Sequence, residues 1–225
     1  MDLPIDPPQK SVVTIVAFTV NNRMRISRNY FIEDYARLRF DKESDWCKAA
    51  DIFLDRLETR YLEHISALRR RKTSGFVVLA LDSALIETLE QFRRGVPETP
   101  RGKSQEYFVS FLTEPPFGDH FDAPRADLFY RTIRCGLLHQ SEAKGPSRIK
   151  RGDGRPLVEY SDGREGLVIA VDKFHELLIN VIYDYASVLR KPESRSQRAA
   201  FKEKMDHICR IEAKPAEKPP DQSTK

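Results

Sequence analysis

Residues 43–71 read ESDWCKAADIFLDRLETRYLEHISALRRR, and this stretch decides the class of fold. Apolar residues recur in it at spacings of three and four, which is the period of one face of an α-helix. The stripe consists of Trp46, Ala50, Phe53, Leu54, Leu57, Tyr61, Ile65 and Leu68. The spacing predicts one long amphipathic helix that ends at Gly75, and it predicts that His64, beside the stripe, is buried.

The chain beyond this helix continues in the same pattern. Further helices are predicted over 77–94, 106–112, 123–142, 173–190 and 194–210, separated by breaks rich in glycine and proline. Asp122 and Asp172 are predicted to be the N-caps of the third and fourth main helices. Four long amphipathic helices indicate a mainly α fold, which we expect to be an up-and-down four-helix bundle with extra helices.

Two segments have the composition of strands. Residues 11–20, SVVTIVAFTV, are rich in β-branched side chains and predict a short N-terminal strand or an apolar arm. Residues 147–171 alternate apolar and polar side chains and contain the turn signals GDG and SDG, which predict a small β-hairpin inserted between helices. The ends, 1–10 and 211–225, are rich in proline and charge, so we expect disordered termini around one domain at 11–210.

Composition favours a globular protein. The 225 residues include 38 basic and 34 acidic side chains and 40% apolar residues, enough to bury a core. No apolar run reaches about 18 residues and the first ten residues lack a signal-peptide pattern, so we expect a cytoplasmic protein without membrane contact. The three cysteines, Cys47, Cys135 and Cys209, form no CxxC pair, and GDHFD at 118–122 has no second ligand cluster. The sequence therefore predicts neither disulfides nor a metal site.

The segment LFYRTIRCGLLHQSEAK, residues 128–144, carries the candidate chemistry. Phe129, Ile133 and Leu137 recur at a spacing of four and predict the seam that docks this helix on the core. Arg134 and His139 both lie off that seam, about 140° apart around a regular helix. One straight helix therefore cannot hold a phosphate between the two side chains. If His139 lies in a frayed last turn, or if a second copy of the helix crosses near it, the arginine of one chain can meet the histidine of the other, so we expect a homodimer.

The string Arg134-Cys-Gly-Leu-Leu-His139, late in the third main helix of a predicted bundle, resembles the HEPN superfamily (higher eukaryotes and prokaryotes nucleotide-binding domain), whose mark is an R-x4-6-H motif. The wider string RCGLLHQSEAK is similar to a prokaryotic HEPN-like branch, and the resemblance covers about residues 43–190. It implies a homodimeric endoribonuclease, independent of metal and cofactor, with Arg134 and His139 as the catalytic pair. Many members are toxins held by an antitoxin or another regulatory protein, or anti-phage effectors. The residue after the arginine is commonly asparagine in the family and is Cys135 here.

The chemistry of RNA cleavage suits these residue types. RNA supplies its own nucleophile, the 2′-hydroxyl, so an enzyme needs only a proton-transfer group, which histidine provides, and a cation for the phosphate, which arginine provides. Such a reaction leaves a 2′,3′-cyclic phosphate and a 5′-hydroxyl end and spares DNA. Two alternatives stay open: a catalytically inactive HEPN module that binds RNA, nucleotide or a partner protein through the same face, and a structural protein in which the motif is a coincidence.

Several neighbouring residues are candidates for RNA contact or support. Tyr130 shares the face of Arg134 and either packs on it or stacks on a base. Arg131 and Glu142 either contact RNA and orient the pair or form solvated salt bridges, and Cys135 is either a redox-sensitive thiol or a small buried hydrophobe. The remaining candidates are Gln140 and the basic residues Arg148, Lys150 and Arg151, with Arg195, Arg198, Lys202 and Lys204 of the last helix as a further phosphate track. The basic run at 69–72 is favoured at a helix carboxyl end by the helix dipole.

Overall fold

The computed structural model describes residues 24–152 and 154–211, and this part of the chain is mainly helical, as predicted. The helices are α1 (Ile32–Ala36), α2 (Glu43–Leu57), α3 (Glu63–Arg69), α4 (Gly75–Arg94), α5 (Ser104–Thr113), α6 (Ala123–Leu128), α7 (Cys135–Gln140), α8 (Val171–Leu189) and α9 (Arg195–Cys209). Within the described ranges, none of these helices has the length and apolar content needed to cross a membrane. The strand predicted at 11–20 lies outside the described residues, as does the predicted disordered segment at 1–10 and, apart from Ile211, the one at 211–225.

The first long helix forms as predicted but has an irregular middle. A π-helical turn, Glu58–Leu62, joins α2 to α3 without a break. The predicted stripe faces inward: five of its residues, Trp46, Ala50, Phe53, Leu57 and Ile65, are buried, and the other three are partly buried against the core. The prediction for His64 is wrong, because Ile65 takes the buried position and its neighbour His64 turns outward. Gly75 does not end this helix but begins α4.

Helix α4 occupies the centre of the helical layer and contacts α3, α5, α8 and α9, while α8 also packs on α2. Two aromatic clusters fill the spaces between the helices. One contains Phe53, Phe92, Tyr185 and Phe201, and the other contains Phe117, Phe121, Phe129 and Phe174. In the second cluster the rings of Phe129 and Phe174 are stacked with centroids 5.2 Å apart. Such pairs add about 0.5–1.5 kcal/mol each beyond area burial, so they fix the position of the segment that carries the R-x4-H string.

The two predicted helix caps have different outcomes. The Asp122 carboxylate accepts a hydrogen bond from the Arg125 backbone N–H at 2.9 Å, so this N-cap is confirmed. Asp172 is not an N-cap, because α8 already begins at Val171, directly after a strand. Its carboxylate instead accepts hydrogen bonds from the guanidinium groups of Arg69 and Arg151.

A three-stranded sheet lies beside the helices, with strands β1 (Arg148–Lys150), β2 (Val158–Ser161) and β3 (Gly166–Ala170) in the order β1-β3-β2. The antiparallel pair β2 and β3 is the predicted hairpin, and Gly163 at φ 62° lies in its turn. The third strand was not predicted: β1 pairs with β3 in parallel, with Ile149 opposite Ile169. The GDG string at 152–154 is therefore not the tip of a hairpin, because β3 inserts between β1 and β2.

Candidate functional site

The R-x4-H string lies on one continuous helix, residues 123–140, which we call the motif helix. It consists of α6, a π-helical turn over Phe129–Arg134, and α7. The predicted docking seam is confirmed, because Phe129 and Ile133 are fully buried and Leu137 is 7% exposed. Arg134 ends the π-helical turn, and His139 is the next-to-last residue of α7. Helical turns of this type occur often at functional sites.

Arg134 is held in a fixed position by residues of α4 and α5. Its Nη2 donates a hydrogen bond to Glu87 Oε2 at 2.9 Å, and the side chains of the two residues are 15% and 19% exposed. The Ser104 hydroxyl donates to the other oxygen of Glu87 at 3.1 Å. The Nε of Arg134 is buried and has no hydrogen-bond partner among the described residues. The guanidinium group is thus oriented by a carboxylate and keeps unused donor capacity.

Two aromatic rings complete the surroundings of Arg134. Its guanidinium carbon lies 5.4 Å from the ring centroid of Tyr130 and 5.6 Å from that of Phe108. The two rings pack on each other with centroids 5.4 Å apart. Burial and the adjacent thiol of Cys135, itself half-buried, raise the pKa of Tyr130. Of the two roles considered for Tyr130, packing on Arg134 is the one present in this structure.

His139 lies in a different environment from Arg134. Its side chain is exposed near the end of α7 and forms no hydrogen bond or ion pair with the described residues. Its neighbours Leu138 and Gln140 are also exposed, with Leu138 at 47%. The helix ends at Ser141, which adopts a left-handed conformation with φ 56°. No contact within the described chain joins His139 to Arg134, as the helical spacing of the two residues predicts.

The chain folds back on the motif helix immediately after His139. The backbone N–H of Glu142 donates to the Gly136 carbonyl at 3.4 Å, and that of Lys144 donates to the Thr132 carbonyl at 2.8 Å. The Glu142 carboxylate accepts from the Ala143 backbone N–H, so its interaction is local and does not reach Arg134. A Cβ atom on Gly136 would lie 2.3 Å from the Glu142 carbonyl oxygen. The glycine inside the R-x4-H string therefore permits this close passage of the chain.

Gly136→Ala tests this packing. The methyl group must displace residues 142–144, and we expect the free energy of unfolding to fall by about 1–2 kcal/mol, overpacking being partly offset by the higher helix propensity of alanine. Urea denaturation of the full chain measures the change. Gln140→Ala, an exposed substitution on the same helix, is the control and should stay within about 0.5 kcal/mol of wild type. A Gly136→Ala protein as stable as wild type would contradict the close contact.

The remaining candidates differ in how far their side chains are already engaged. Arg131 is exposed and pairs with Asp127 at 2.7 Å. Arg148 is exposed and donates to the carbonyls of Gly145 and Ser147, whereas Lys150 is exposed without a polar partner among the described residues. Arg151 has a structural role, because its guanidinium donates hydrogen bonds to backbone carbonyls at the end of α3 and to a carboxylate of α8.

The basic residues of the last helix do not form one exposed track. Arg198 is buried, donates to the Leu189 carbonyl at 2.9 Å and pairs with Glu43. Lys204 is also buried and donates to the Gln91 side chain at 2.7 Å. Two of the four candidate cations therefore hold α9 against the body of the protein.

A buried polar pair between α4 and α8 was not predicted from the sequence. His175 Nδ1 and Asp82 Oδ1 share a hydrogen bond of 2.8 Å, with the side chains 1% and 0% exposed. The second oxygen of Asp82 is buried with no hydrogen-bond partner among the described residues, and burial raises the pKa of this carboxyl. The sequence contained one indication of this buried pair, because Asp82 and Ser83 interrupt an otherwise apolar run. Both residues are buried in the structure.

The outer face of α4 is apolar, although it is open to solvent. We define this α4 outer face by Val77, Ala80, Leu81 and Ala84. Val77 is 50% exposed, Ala84 is exposed, and the other two are half-buried. Glu87, the partner of Arg134, follows Ala80 and Ala84 on the same side of the helix, and α4 also contacts α7. The apolar surface therefore adjoins the Arg134 ion pair.

Among the described residues, no group of three or more histidine, cysteine or acidic side chains is arranged to hold a metal ion. Comparisons with protein-family models, with curated proteins and with solved structures find no match to this chain.

Proposed function

We propose that this chain is a metal-independent endoribonuclease of the HEPN type, that it acts as a homodimer, and that it serves as a toxin or anti-phage defence effector. One observation carries the proposal: Arg134 is held by Glu87, while His139 is exposed on the same helix and free to meet a second chain. The proposal includes a four-helix HEPN-like bundle for the fold and a cytoplasmic location.

The setting of Arg134 suits a phosphate-binding role. A guanidinium that is already oriented by a carboxylate and two rings loses little side-chain entropy when it meets a phosphate. Because it is only partly exposed, its hydrogen bonds to a phosphate would form in a medium of lower dielectric than water, where they are stronger. Glu87 thus supports the proposal as a positioning residue for Arg134.

The surface around the two side chains supports a homodimer. From Gly75 to Ile86 helix α4 carries a single charged residue, Asp82, which is buried, so the α4 outer face offers only apolar atoms to solvent. A helix that is apolar on all sides normally has a partner on each side. Exposed Leu138, next to His139, adds to this surface. A two-fold axis through it would juxtapose the same patches and bring His139 of one chain towards Arg134 of the other.

A second candidate function is the catalytically inactive HEPN module that binds RNA, nucleotide or a partner protein through this face. Two observations favour it. Glu87 already neutralises part of the Arg134 charge, and Cys135, a weak hydrogen-bond donor, stands where the family commonly has asparagine. An inactive module would keep the same dimer and the same RNA-facing surface, so binding alone does not separate the two functions.

The deciding experiment is incubation of the purified full chain with several RNAs in excess EDTA. We expect cleavage that persists in EDTA, leaves 2′,3′-cyclic phosphate and 5′-hydroxyl ends, and spares the matching DNA. Sedimentation analysis of the same sample should show a dimer. If a verified dimer cleaves none of the RNAs, the binding module is the correct function.

The dimer is tested separately by Ala84→Glu, which places a charge in the middle of the α4 outer face. We expect a folded monomer without RNA cleavage, since an unpaired charge opposes burial in an interface. The matched control is Ala199→Glu, at an exposed position of α9. A monomeric wild-type chain that cleaves RNA would contradict the composite site.

A further inference from the structure

We infer that two basic segments far apart in sequence form one surface that binds the phosphate backbone of RNA. We name it the α3–β1 basic surface, and it consists of Arg70, Arg71, Lys72, Arg148 and Lys150. The RNA assignment rests on the proposed function, and the inference adds where the strand runs outside the Arg134 and His139 site. All five side chains are exposed.

Arg151 joins the two segments. Its guanidinium donates to the carbonyls of Arg69 and Arg71, each at 2.7 Å, and to the Ser74 hydroxyl at 2.9 Å. It also donates to both oxygens of Asp172, at 3.1 and 2.9 Å. Five hydrogen bonds from one planar group fix the end of β1 against the end of α3.

The helix dipole does not explain the whole set, because Arg148 and Lys150 lie on β1 and not at the carboxyl end of α3. The carbonyls at the carboxyl end of α3 already receive hydrogen bonds from Arg151, and Arg69 pairs with Asp172 and Glu176. None of the five surface cations pairs with an acidic residue in the part of the chain that the structure describes. Several exposed arginines elsewhere do pair, as in Arg28–Glu63, Arg39–Asp41 and Arg131–Asp127. The α3–β1 basic surface therefore keeps a positive charge that no acidic side chain among the described residues neutralises.

The geometry of β1 suits a linear polyanion. Ile149 points inward, where its Cγ2 would lie 3.3 Å from a Cβ on Gly75. Arg148 and Lys150 flank it and point outward together, about 7 Å apart for residues two positions apart on a strand. The amino end of the 20-residue helix α4 lies beside them without an acidic residue in its first turn, and adds its positive dipole end.

The composition between the cations favours a nucleic acid over a membrane. Residues that intervene are Thr73, buried Ser74 and half-buried Ile149. Exposed Val77, in the first turn of α4, belongs to the α4 outer face that the proposed dimer covers, so no large apolar side chain is left among the cations to enter lipid. The surface also begins close to the motif helix, because the Ser147 hydroxyl donates to the Thr132 hydroxyl at 2.9 Å. An RNA strand at the proposed site can therefore continue across β1.

The test measures RNA affinity and its salt dependence. A short labelled single-stranded RNA is titrated with full-length protein carrying His139→Ala, which prevents cleavage, and binding is followed by fluorescence anisotropy. The surface variant is Lys72→Gln with Arg148→Gln and Lys150→Gln. The control removes the same charge at exposed cations that form no ion pair within the described residues, by Lys42→Gln, Arg101→Gln and Lys191→Gln.

We expect the surface variant to bind the RNA about tenfold more weakly than its parent. The slope of log affinity against log salt concentration should fall by about 2, because three phosphate contacts are lost and each contributes about 0.7 on a single strand. The control should keep the slope and lose less than about threefold. Circular dichroism and denaturation check that both variants fold like the parent.

Equal losses in the surface variant and the control would overturn the inference, because they would reflect net charge alone. An unchanged salt slope in the surface variant would overturn it as well. The inference would also be overturned if the surface variant lost binding to phosphatidylserine vesicles while its RNA binding stayed intact. That result would show that the surface binds membranes. If RNA binding depends on the surface while the wild-type chain cleaves nothing, the nuclease proposal fails and the surface stands.

Discussion

Replacement of His139 by alanine is expected to lower EDTA-resistant RNA cleavage by about 10²–10⁴-fold, the contribution of a positioned proton-transfer group. His139 is exposed and bonded to nothing in the described chain, so its loss should leave the free energy of unfolding within about 0.5 kcal/mol of wild type. His207→Ala, an exposed histidine on α9, is the matched control and should cleave at the wild-type rate. A His139→Ala protein that retains most of its cleavage would remove His139 from the mechanism.

Arg134→Ala should also abolish cleavage, and mixing the two inactive proteins tests whether the site spans two chains. In a mixed dimer, the His139→Ala chain supplies Arg134 and the Arg134→Ala chain supplies His139. One of the two sites is then complete. After subunit exchange we expect up to about a quarter of the wild-type rate, because half of the dimers are mixed and each has one complete site. No recovery after verified exchange would contradict pairing of the two residues across the interface.

Asp82→Ala is expected to have the largest effect on stability, lowering the free energy of unfolding by about 3 kcal/mol. The substitution leaves His175 buried without its hydrogen-bond partner between α4 and α8. For a chain of this size the melting temperature should fall by about 6–12 °C in a thermal scan. Asp82→Asn keeps an acceptor for the His175 ring and adds no cavity, so it serves as the matched variant and should lose far less.

The same pair predicts how stability depends on pH. Because burial raises the pKa of Asp82 above its ordinary value, the folded chain ionises this carboxyl less readily than the unfolded chain. Its contribution to stability is complete below about pH 4 and is lost as the pH rises through the raised pKa. Asp82→Asn does not titrate, so its stability relative to wild type should increase between pH 4 and neutral pH. If urea denaturation gives the same difference in the free energy of unfolding between Asp82→Asn and wild type at pH 4 and at neutral pH, the pKa of Asp82 is not raised by folding.

Much of the fold follows from the sequence because its helices have strong periodicity. The stripe from Trp46 to Leu68 is buried or partly buried, and the seam at Phe129, Ile133 and Leu137 is buried, as their spacing predicts. The errors fall where tertiary contacts decide. Asp172 has the sequence position of an N-cap, but two arginines from other elements reach it. The pairing of β1 with β3 joins residues 20 positions apart in the chain, such as Arg148 and Val168, and no local pattern encodes that choice.

The candidate site also has a part that the sequence predicts and a part that depends on tertiary contacts. Arg134, His139 and the helix that carries them are visible in one short string, and their separation around that helix follows from helical geometry alone. Glu87, Ser104 and Phe108 come from α4 and α5, and they surround Arg134 only once those helices pack. Gly136 is explained only by the path of residues 142–144 across it. The environment of each side chain is therefore set by tertiary packing, which the local sequence does not encode.

The π-helical turn over Phe129–Arg134 has a consequence for how the motif helix varies among sequences. Such a turn holds one residue more than a regular turn of α-helix, so it acts as an insertion absorbed within the helix. Removing one residue there would restore regular α-helical winding, and the residues on either side would keep their faces. Arg134 would then stay beside Glu87, and Leu137 would stay in the core. Alignments of related sequences should therefore allow a gap of one residue within this turn, without a change in the R-x4-H spacing that follows it.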